Sequence, residues 1–430
     1  MLSWEYEPNI EGGLGRHVTS LSRALAERGA SVTVVTPLAG GAPQEDRGLL
    51  SVRRVADESP PALTFPERVA KVNAALLQAV LREVSSGGSF DLVHAHDWLT
   101  AYAARAVKHG LGIPLVATIH ATEHGRNQGL YTDLQRHISD IEWWLTYEAW
   151  RVICCSRAMR QELESIFQLP ADKMRVIPNG VDLPAPRGGA GESPPLENPG
   201  RPLVFFVGRL VYEKGVDILI SSFRRVLEKF PEARLLIAGR GPEEPRLKDM
   251  AERLGGGPSV QFLGYISDDE RNRLYRLADA VAFPSRYEPF GIVALEAMSQ
   301  GAPVVAARTG GFSEVIDHGR TGLLFDPGDA AELAEAIAAL LGSAALRRRL
   351  GAAARSDVAS RYDWGRIGEA TIEVYREVLG ARGTKCDDTV EPARFAESPG
   401  VRGKRAAHGN AWELNAREGS RDGGRAGDAP

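Results

Sequence analysis

The stretch Arg286-Tyr-Glu-Pro-Phe-Gly-Ile-Val-Ala-Leu-Glu296 decides how the chain is read. It follows an apolar run, Ala280–Phe283, that predicts a strand, and it opens a helix running through Ala297 and Met298 to Gly301. Pro289 suits the approach to a helix start, where a missing N–H costs little. Gly291 lets backbone amides come close to a ligand. A strand-to-helix turn aims free N–H groups at one spot, and the helix dipole favours an anion there. A phosphate held at that spot leaves Glu288 beside the attached group, with Glu296 two helical turns further on. Two ordinary glutamates on a strand–loop–helix fit this stretch equally well, so the rest of the chain has to decide.

Working outward, the surrounding sequence repeats the same logic. Leu203–Val207 predicts a buried strand feeding Gly208-Arg-Leu-Val-Tyr-Glu-Lys-Gly215, and Val216–Phe230 a helix. Leu235–Ala238, Val260–Leu263, Pro303–Ala306 and Gly322–Phe325 predict further strands. Ser267 with Glu270 reads as a capping box and Asp329 as an N-cap. Arg209 and Lys214 flank the turn after the first of these strands. Two cations there clamp a pyrophosphate, arginine through its fork and lysine as a point charge; a solvated basic loop is the plainer alternative.

The first half alternates in the same way. Met1–Tyr6 reads as the end of a strand cut short, which leaves open a natural start upstream of Met1 or a trimmed chain. The glycine-rich Glu11-Gly-Gly-Leu-Gly15 precedes a helix carrying Val18, Leu21 and Leu25, and Ser31–Thr36 is a β-branched strand. Gly40–Gly48 reads as a turn-rich polar loop, and Val69, Val72, Leu76 and Val80 mark a helix. Phe90–Val93 predicts a strand delivering His94-Ala-His-Asp-Trp98. Leu99–Lys108 predicts a helix closed by Gly110, Ile113–Ile119 a strand delivering His120, Ile138–Trp150 a helix, and Val152–Cys155 a strand followed by an N-cap at Ser156. Repeated strand–helix units imply an α/β fold of parallel, doubly wound sheets, whose ligands sit beyond the carboxyl ends of the strands. Gly12–Gly15, His94–Asp97 and His120 gather on that edge.

The predicted organisation is residues 1–182 as a first Rossmann-like domain and 183–202 as a Pro- and Gly-rich linker. Residues 203–361 form a second Rossmann-like domain, 362–380 a final amphipathic helix, and 381–430 a disordered tail. At 430 residues, 43% hydrophobic and 25% charged, the chain is globular. A net charge of −4 gives no reason to expect nucleic acid. Three cysteines, two of them adjacent, suit a reduced cytoplasmic protein, and no window is apolar enough to span a membrane. His94 and His96 lie on one face of their strand, yet no further His, Cys or Asp cluster is legible beside them, and no metal is expected. Asp268-Asp269 reads as a helix start. His120 reads as a sugar contact or a satisfied edge histidine, and Glu123 and His124 as weaker candidates.

Taken together, Gly12-Gly-Leu-Gly15, His94-Ala-His-Asp-Trp98, Thr118-Ile-His120, Gly208-Arg209 with Lys214-Gly215, and Glu288 and Glu296 resemble, in order and spacing, the retaining glycosyltransferases of family 4. The branch nearest glycogen and starch synthases is the most similar, over roughly Leu2–Leu379. The resemblance implies a GT-B fold: two Rossmann-like domains across a cleft, with the last helix crossing back to the first. It implies a nucleotide-sugar donor and neither metal nor other cofactor. Residue by residue, it implies that Gly12 and Gly13 line the donor phosphate and sugar, and that Asp97 serves the sugar and acceptor side. His120 touches donor sugar hydroxyls, with its carbonyl near the anomeric carbon. Arg209 and Lys214 neutralise the diphosphate, Glu288 holds sugar hydroxyls beside the amides of Phe290, Gly291 and Ile292, and Glu296 holds the ribose. Gly264–Ile266 lines the base pocket. Two positions depart from the pattern: Glu11 stands where glycogen synthases carry lysine, and Glu7 replaces a usual proline.

The implied reaction is transfer of glucose from ADP- or UDP-glucose to an acceptor hydroxyl. The acceptor stays open among an α-glucan, a small phosphorylated sugar and a lipid headgroup, the last with peripheral membrane contact. A nucleotide-sugar 2-epimerase and a non-catalytic sugar-nucleotide binder are the rival readings.

Overall fold

The computed structural model describes residues 1–10, 12–183, 201–255 and 257–384. Glu11, the linker from 184 to 200 and the tail from 385 onward lie outside the described residues, and with them the expectations placed there.

The strands are β1 Val32–Pro37, β2 Gln44–Arg47, β3 Leu50–Val55, β4 Val93–His96, β5 Leu115–Ile119, β6 Arg151–Cys154 and β7 Met174–Val176 in the first half. The second half holds β8 Leu203–Val207, β9 Arg234–Ala238, β10 Val260–Gly264, β11 Ala280–Phe283, β12 Val304–Ala307 and β13 Leu323–Phe325. In the second half they pair in the order β10-β9-β8-β11-β12-β13, all parallel. In the first half β1-β3-β2 and β4-β5-β6-β7 are joined through Leu2, which bridges Val35 on one side and Ala95 on the other. The chain is α/β throughout, with two Rossmann-like sheets, and it has the GT-B architecture.

Sheet order fixes where ligands go. Strand order reverses between β8 and β11, and in the first half between the Leu2 segment and β4. At such switch points the loops leaving adjacent strands diverge and open a crevice. The Lys214 loop follows β8 and the Glu288 loop follows β11. The Gly12–Gly13 loop follows the Leu2 segment, and Asp97 follows β4.

Several local expectations are corrected. Gly40–Gly48 is not plain loop: β2 pairs antiparallel with β3, and β3 was not foreseen. Arg54 on β3 is buried because its guanidinium donates to the carbonyls of Ala42 and Glu7 and to Glu45, which offsets the cost of enclosing a charge. Gly110 lies within the helix Ala101–Leu111, which Gly112 ends in a left-handed conformation, φ 63°. The helix expected over Ile138–Trp150 spans Asp133–Glu148, because Thr132 and Gln135 form a capping box. A short helix, Glu123–Asn127, follows β5 and carries Glu123 and His124.

The final helix runs Trp364–Thr384, past the Leu379 expected to end it. It packs on Gly13–Glu27 of the first half: Ile367, Ile372, Val374 and Val378 share a core with Val18, Leu21 and Leu25. Tyr375 Oη meets His94 Nδ1 at 2.7 Å, and Glu377 takes Arg151 and Arg175.

Candidate active site

The helix after the deciding stretch is Ile292–Ser299, with Gly291 at its N-cap, φ 101°. Only glycine tolerates this conformation cheaply, and a Cβ there meets the Phe312 ring at 2.5 Å. The Gly310-Gly311 turn lies directly under the loop. Cβ atoms at these positions stand 2.1 Å from the Glu288 carbonyl oxygen and 2.2 Å from Phe290 Cα, and Gly311 N donates to the Glu288 carbonyl. The loop is held by backbone against backbone, so Glu288 has little freedom.

Glu288 is buried, 7% exposed, and Lys214 Nζ donates to its Oε2 at 2.7 Å, with Ser285 Oγ 3.5 Å away. Lys214 is brought there by Gly215, whose left-handed turn (φ 65°) leaves no room for a side chain beside the Pro284 carbonyl. Arg209, half-exposed, rests on Glu213 at 3.2 Å. Lys214 and Glu288 therefore meet at the switch point of the second sheet, with Arg209 earlier on the loop that carries Lys214. Glu296 is enclosed by Arg271 at 3.4 Å, Arg16 at 3.5 Å and Tyr275 Oη at 3.5 Å; burial raises its pKa, and the two guanidinium groups oppose that.

The first half supplies the opposite wall. A Cβ on Gly13 meets Ile292 Cδ1 at 3.1 Å, so the glycine loop faces the Glu288 loop across the cleft. Asp97 takes a left-handed backbone, φ 58°, strained for a non-glycine residue. That turn lets Asp97 Oδ1 accept from His120 N at 2.7 Å, fixing the end of β5. Burial pushes the Asp97 carboxyl up to about 6 and the His120 imidazole down to about 3. Closure is maintained by Tyr287, whose hydroxyl meets Glu162 at 2.9 Å and whose ring fills the space over Gly125. Ser156 Oγ donates to the Pro289 carbonyl at 2.6 Å, and Glu314 accepts from Arg157 N and Ala158 N.

Gly12, Gly13, Asp97 and His120 thus belong to the first half, and Arg209, Lys214, Glu288, Phe290, Gly291, Ile292 and Glu296 to the second, in the segments that follow the strands at the two switch points. Sequence reasoning missed Arg16, Tyr287 and His17. Asp268, taken for a helix start alone, is also the partner of Arg16 across the cleft. The expectation that no further histidine stands beside His94 and His96 is corrected as well: His17 and His120 close on His96 from elsewhere in the chain.

Residues 11–184 match the model described as Glycosyltransferase Family 4, and residues 192–357 the one described as Glycosyl transferases group 1. The glycogen synthase of Mycobacterium tuberculosis (strain ATCC 25618 / H37Rv) is 37% identical over 390 residues, 87% of this chain and 93% of that protein. The chain belongs to glycosyltransferase family 4. Within this family it is also similar to the D-inositol 3-phosphate glycosyltransferase of Acidothermus cellulolyticus, 33% identical over 87% of each chain. Among solved structures, a sucrose-phosphate synthase from Thermosynechococcus elongatus superposes with a TM-score of 0.74 at 25% identity, covering 88% of this chain and 98% of that one. The catalytic domain of Arabidopsis thaliana starch synthase IV gives 0.70 at 19%, a likeness of fold. This family 4 member is therefore a glycosyl-transferring enzyme, and among its described residues no helix is long and apolar enough to cross a membrane.

Proposed function

We propose that the enzyme is a retaining, metal-independent hexosyltransferase that moves glucose from ADP- or UDP-glucose to an acceptor hydroxyl of an α-glucan. The observation that carries this reading is the Lys214–Glu288 pair, 2.7 Å apart, at the switch point of the second sheet. Lys214 and Arg209 neutralise the donor diphosphate. Glu288 and the amides of Phe290, Gly291 and Ile292 hold the sugar hydroxyls, and Glu296 holds the ribose. Gly12 and Gly13 press backbone against the phosphate and sugar. His120 contacts sugar hydroxyls, and Asp97 positions it.

In the reaction the bond from the anomeric carbon to the diphosphate oxygen breaks with its electron pair going to phosphate. The acceptor oxygen bonds on the same face, and its proton passes to the departing phosphate. Cations at Arg209 and Lys214 stabilise the charge that develops there, a contribution of about 3–4 kcal/mol for one well-placed donor. Closure of the cleft excludes the water that would otherwise hydrolyse the donor. No carboxylate nucleophile is needed, in contrast to a retaining glycosidase. The buried free thiols of Cys154 and Cys155 suit a cytoplasmic setting.

The test is release of nucleoside diphosphate from UDP-, ADP- and GDP-sugars, with and without glycogen or maltooligosaccharide. Release from ADP- or UDP-glucose that rises with glucan is expected. No release from any donor overturns the reading.

A second reading, a small phosphorylated acceptor, is favoured by the similarity to D-inositol 3-phosphate glycosyltransferases and by Arg126, whose charge faces Asp97. It predicts stimulation by a hexose or inositol phosphate and none by glucan.

A further inference from the structure

Around His120 the first half gathers more imidazole than a sugar contact uses. His17 comes from the helix Gly13–Glu27, His96 from β4, and His120 from the end of β5. One nitrogen of each lies within 4.8 Å of the others. His96 Nδ1 and His120 Nε2 are 3.2 Å apart. Two nitrogens bound to one tetrahedral Zn2+ at about 2.0–2.1 Å stand about 3.3 Å from each other, which is nearly this separation.

The hydrogen bonding is incomplete in a telling way. His17 is buried, 3% exposed, and neither ring nitrogen makes a well-formed hydrogen bond, although Asn179 stands close enough to be a partner for one of them; His96 Nε2 has no partner among the described residues. A buried polar group left so is a standing cost to the fold. Beside His17, the Asn179 carbonyl oxygen likewise makes no well-formed hydrogen bond and stands within reach of the His17 ring. A histidine that gives one nitrogen to a metal turns its other N–H onto such an oxygen. His94 differs: its two nitrogens are taken by Tyr375 Oη and Thr118 Oγ1, each at 2.7 Å. Aromatic packing of His17 against His120 and Trp364 accounts for the rings' contacts. It does not account for the His17 nitrogens or for His96 Nε2; His96 Nδ1 and His120 Nε2 are within hydrogen-bond distance of each other.

We propose that His17, His96 and His120 form a three-imidazole site for a borderline-soft divalent cation of the Zn2+ class, and that its occupation inhibits transfer by withdrawing His120 from the donor. Imidazole with three protein ligands and an open fourth position suits Zn2+ and Co2+ and not Mg2+, which takes oxygen. The inhibitory half rests on the transferase reading; the binding half does not.

The experiment titrates Co2+ into the chelator-stripped full chain and follows the visible absorption of tetrahedral Co2+, with Zn2+ as competitor. A saturable one-to-one band displaced by Zn2+ is expected. His17→Ala should weaken Co2+ binding at least tenfold, and Asn179→Ala by about 10–100-fold through the lost N–H acceptor. Circular dichroism checks that both variants fold, and His96→Gln replaces any variant that does not. No tetrahedral band, or equal affinity in the wild type and all variants, overturns the site. Donor turnover is then measured against added Zn2+. Inhibition of at least tenfold, relieved by His17→Ala and by saturating donor, is expected. Tight Co2+ binding with unchanged turnover overturns the inhibitory half. A chain inactive with every donor sinks the transferase reading and leaves the Co2+ band to decide the site.

Discussion

Arg16 of the first half grips Asp268 of the second, its Nη1 and Nη2 donating to Oδ2 and Oδ1 at 3.0 and 2.8 Å, while its Nε stands 3.5 Å from Glu296. One guanidinium thus bridges the cleft and meets the carboxylate assigned to the donor ribose. The pair is partly exposed, so its worth to stability is about 0–1 kcal/mol. Its bearing on closure is direct, because it ties the two halves together. Arg16→Ala is expected to leave the melting temperature within about 4 °C. The free protein should show a larger radius of gyration by small-angle scattering, and the donor KM should rise several-fold. An unchanged radius and KM together would show that Arg16 holds nothing shut.

Lys214→Ala and Glu288→Ala each remove half of the pair at the second switch point. Each should lower turnover about 10²–10³-fold, the scale of losing one well-placed transition-state contact. Circular dichroism should stay unchanged. Near-normal nucleoside diphosphate release in both variants would sink the assigned roles.

Gly311→Ala tests the support beneath Glu288. Its Cβ falls 2.2 Å from Phe290 Cα, so backbone must shift. A cost of about 1–3 kcal/mol in urea unfolding and a turnover loss beyond tenfold are expected. Gly257→Ala, with open space around its Cβ, serves as control.

Glu142 gives a pH test. Its oxygens accept from Glu123 N at 2.9 and 3.1 Å, and burial raises its carboxyl to about 8; Arg126 opposes the shift, and Asp97 and Glu123 add to it. The folded state therefore holds a proton that the unfolded chain has released. The stability tied to that proton is fully present below about pH 4.5 and is lost as pH rises toward 8, at up to about 1.4 kcal/mol per pH unit. Glu142→Gln keeps a carbonyl acceptor and cannot ionise. Its stability relative to wild type should grow between pH 5 and pH 8 in urea titrations, and a constant difference would refute the shift.

The parallel sheets were legible because buried strands such as Leu203–Val207 and Ala280–Phe283 are continuous apolar runs between glycine-bearing turns. The residues at strand ends were legible for the same reason: Lys214, Glu288, Asp97 and His120 each follow such a run. The strand β3 was not, since Arg53 and Arg54 break its pattern and Arg54 is buried only by partners far away in sequence. Arg16, His17 and Tyr287 were hidden too. Each acts on residues more than 75 positions distant, and nothing in the local spacing announces so remote a partner.

The helix Trp364–Thr384 has a consequence for synthesis. It completes the core that Val18, Leu21 and Leu25 begin, and Tyr375 closes over His94. As the chain leaves the ribosome, the first half waits for the last element of the second before its surface is sealed. A fragment ending before Trp364 would leave that apolar face wet. Two separately expressed pieces would reassemble into an active enzyme only if the helix travels with one of them.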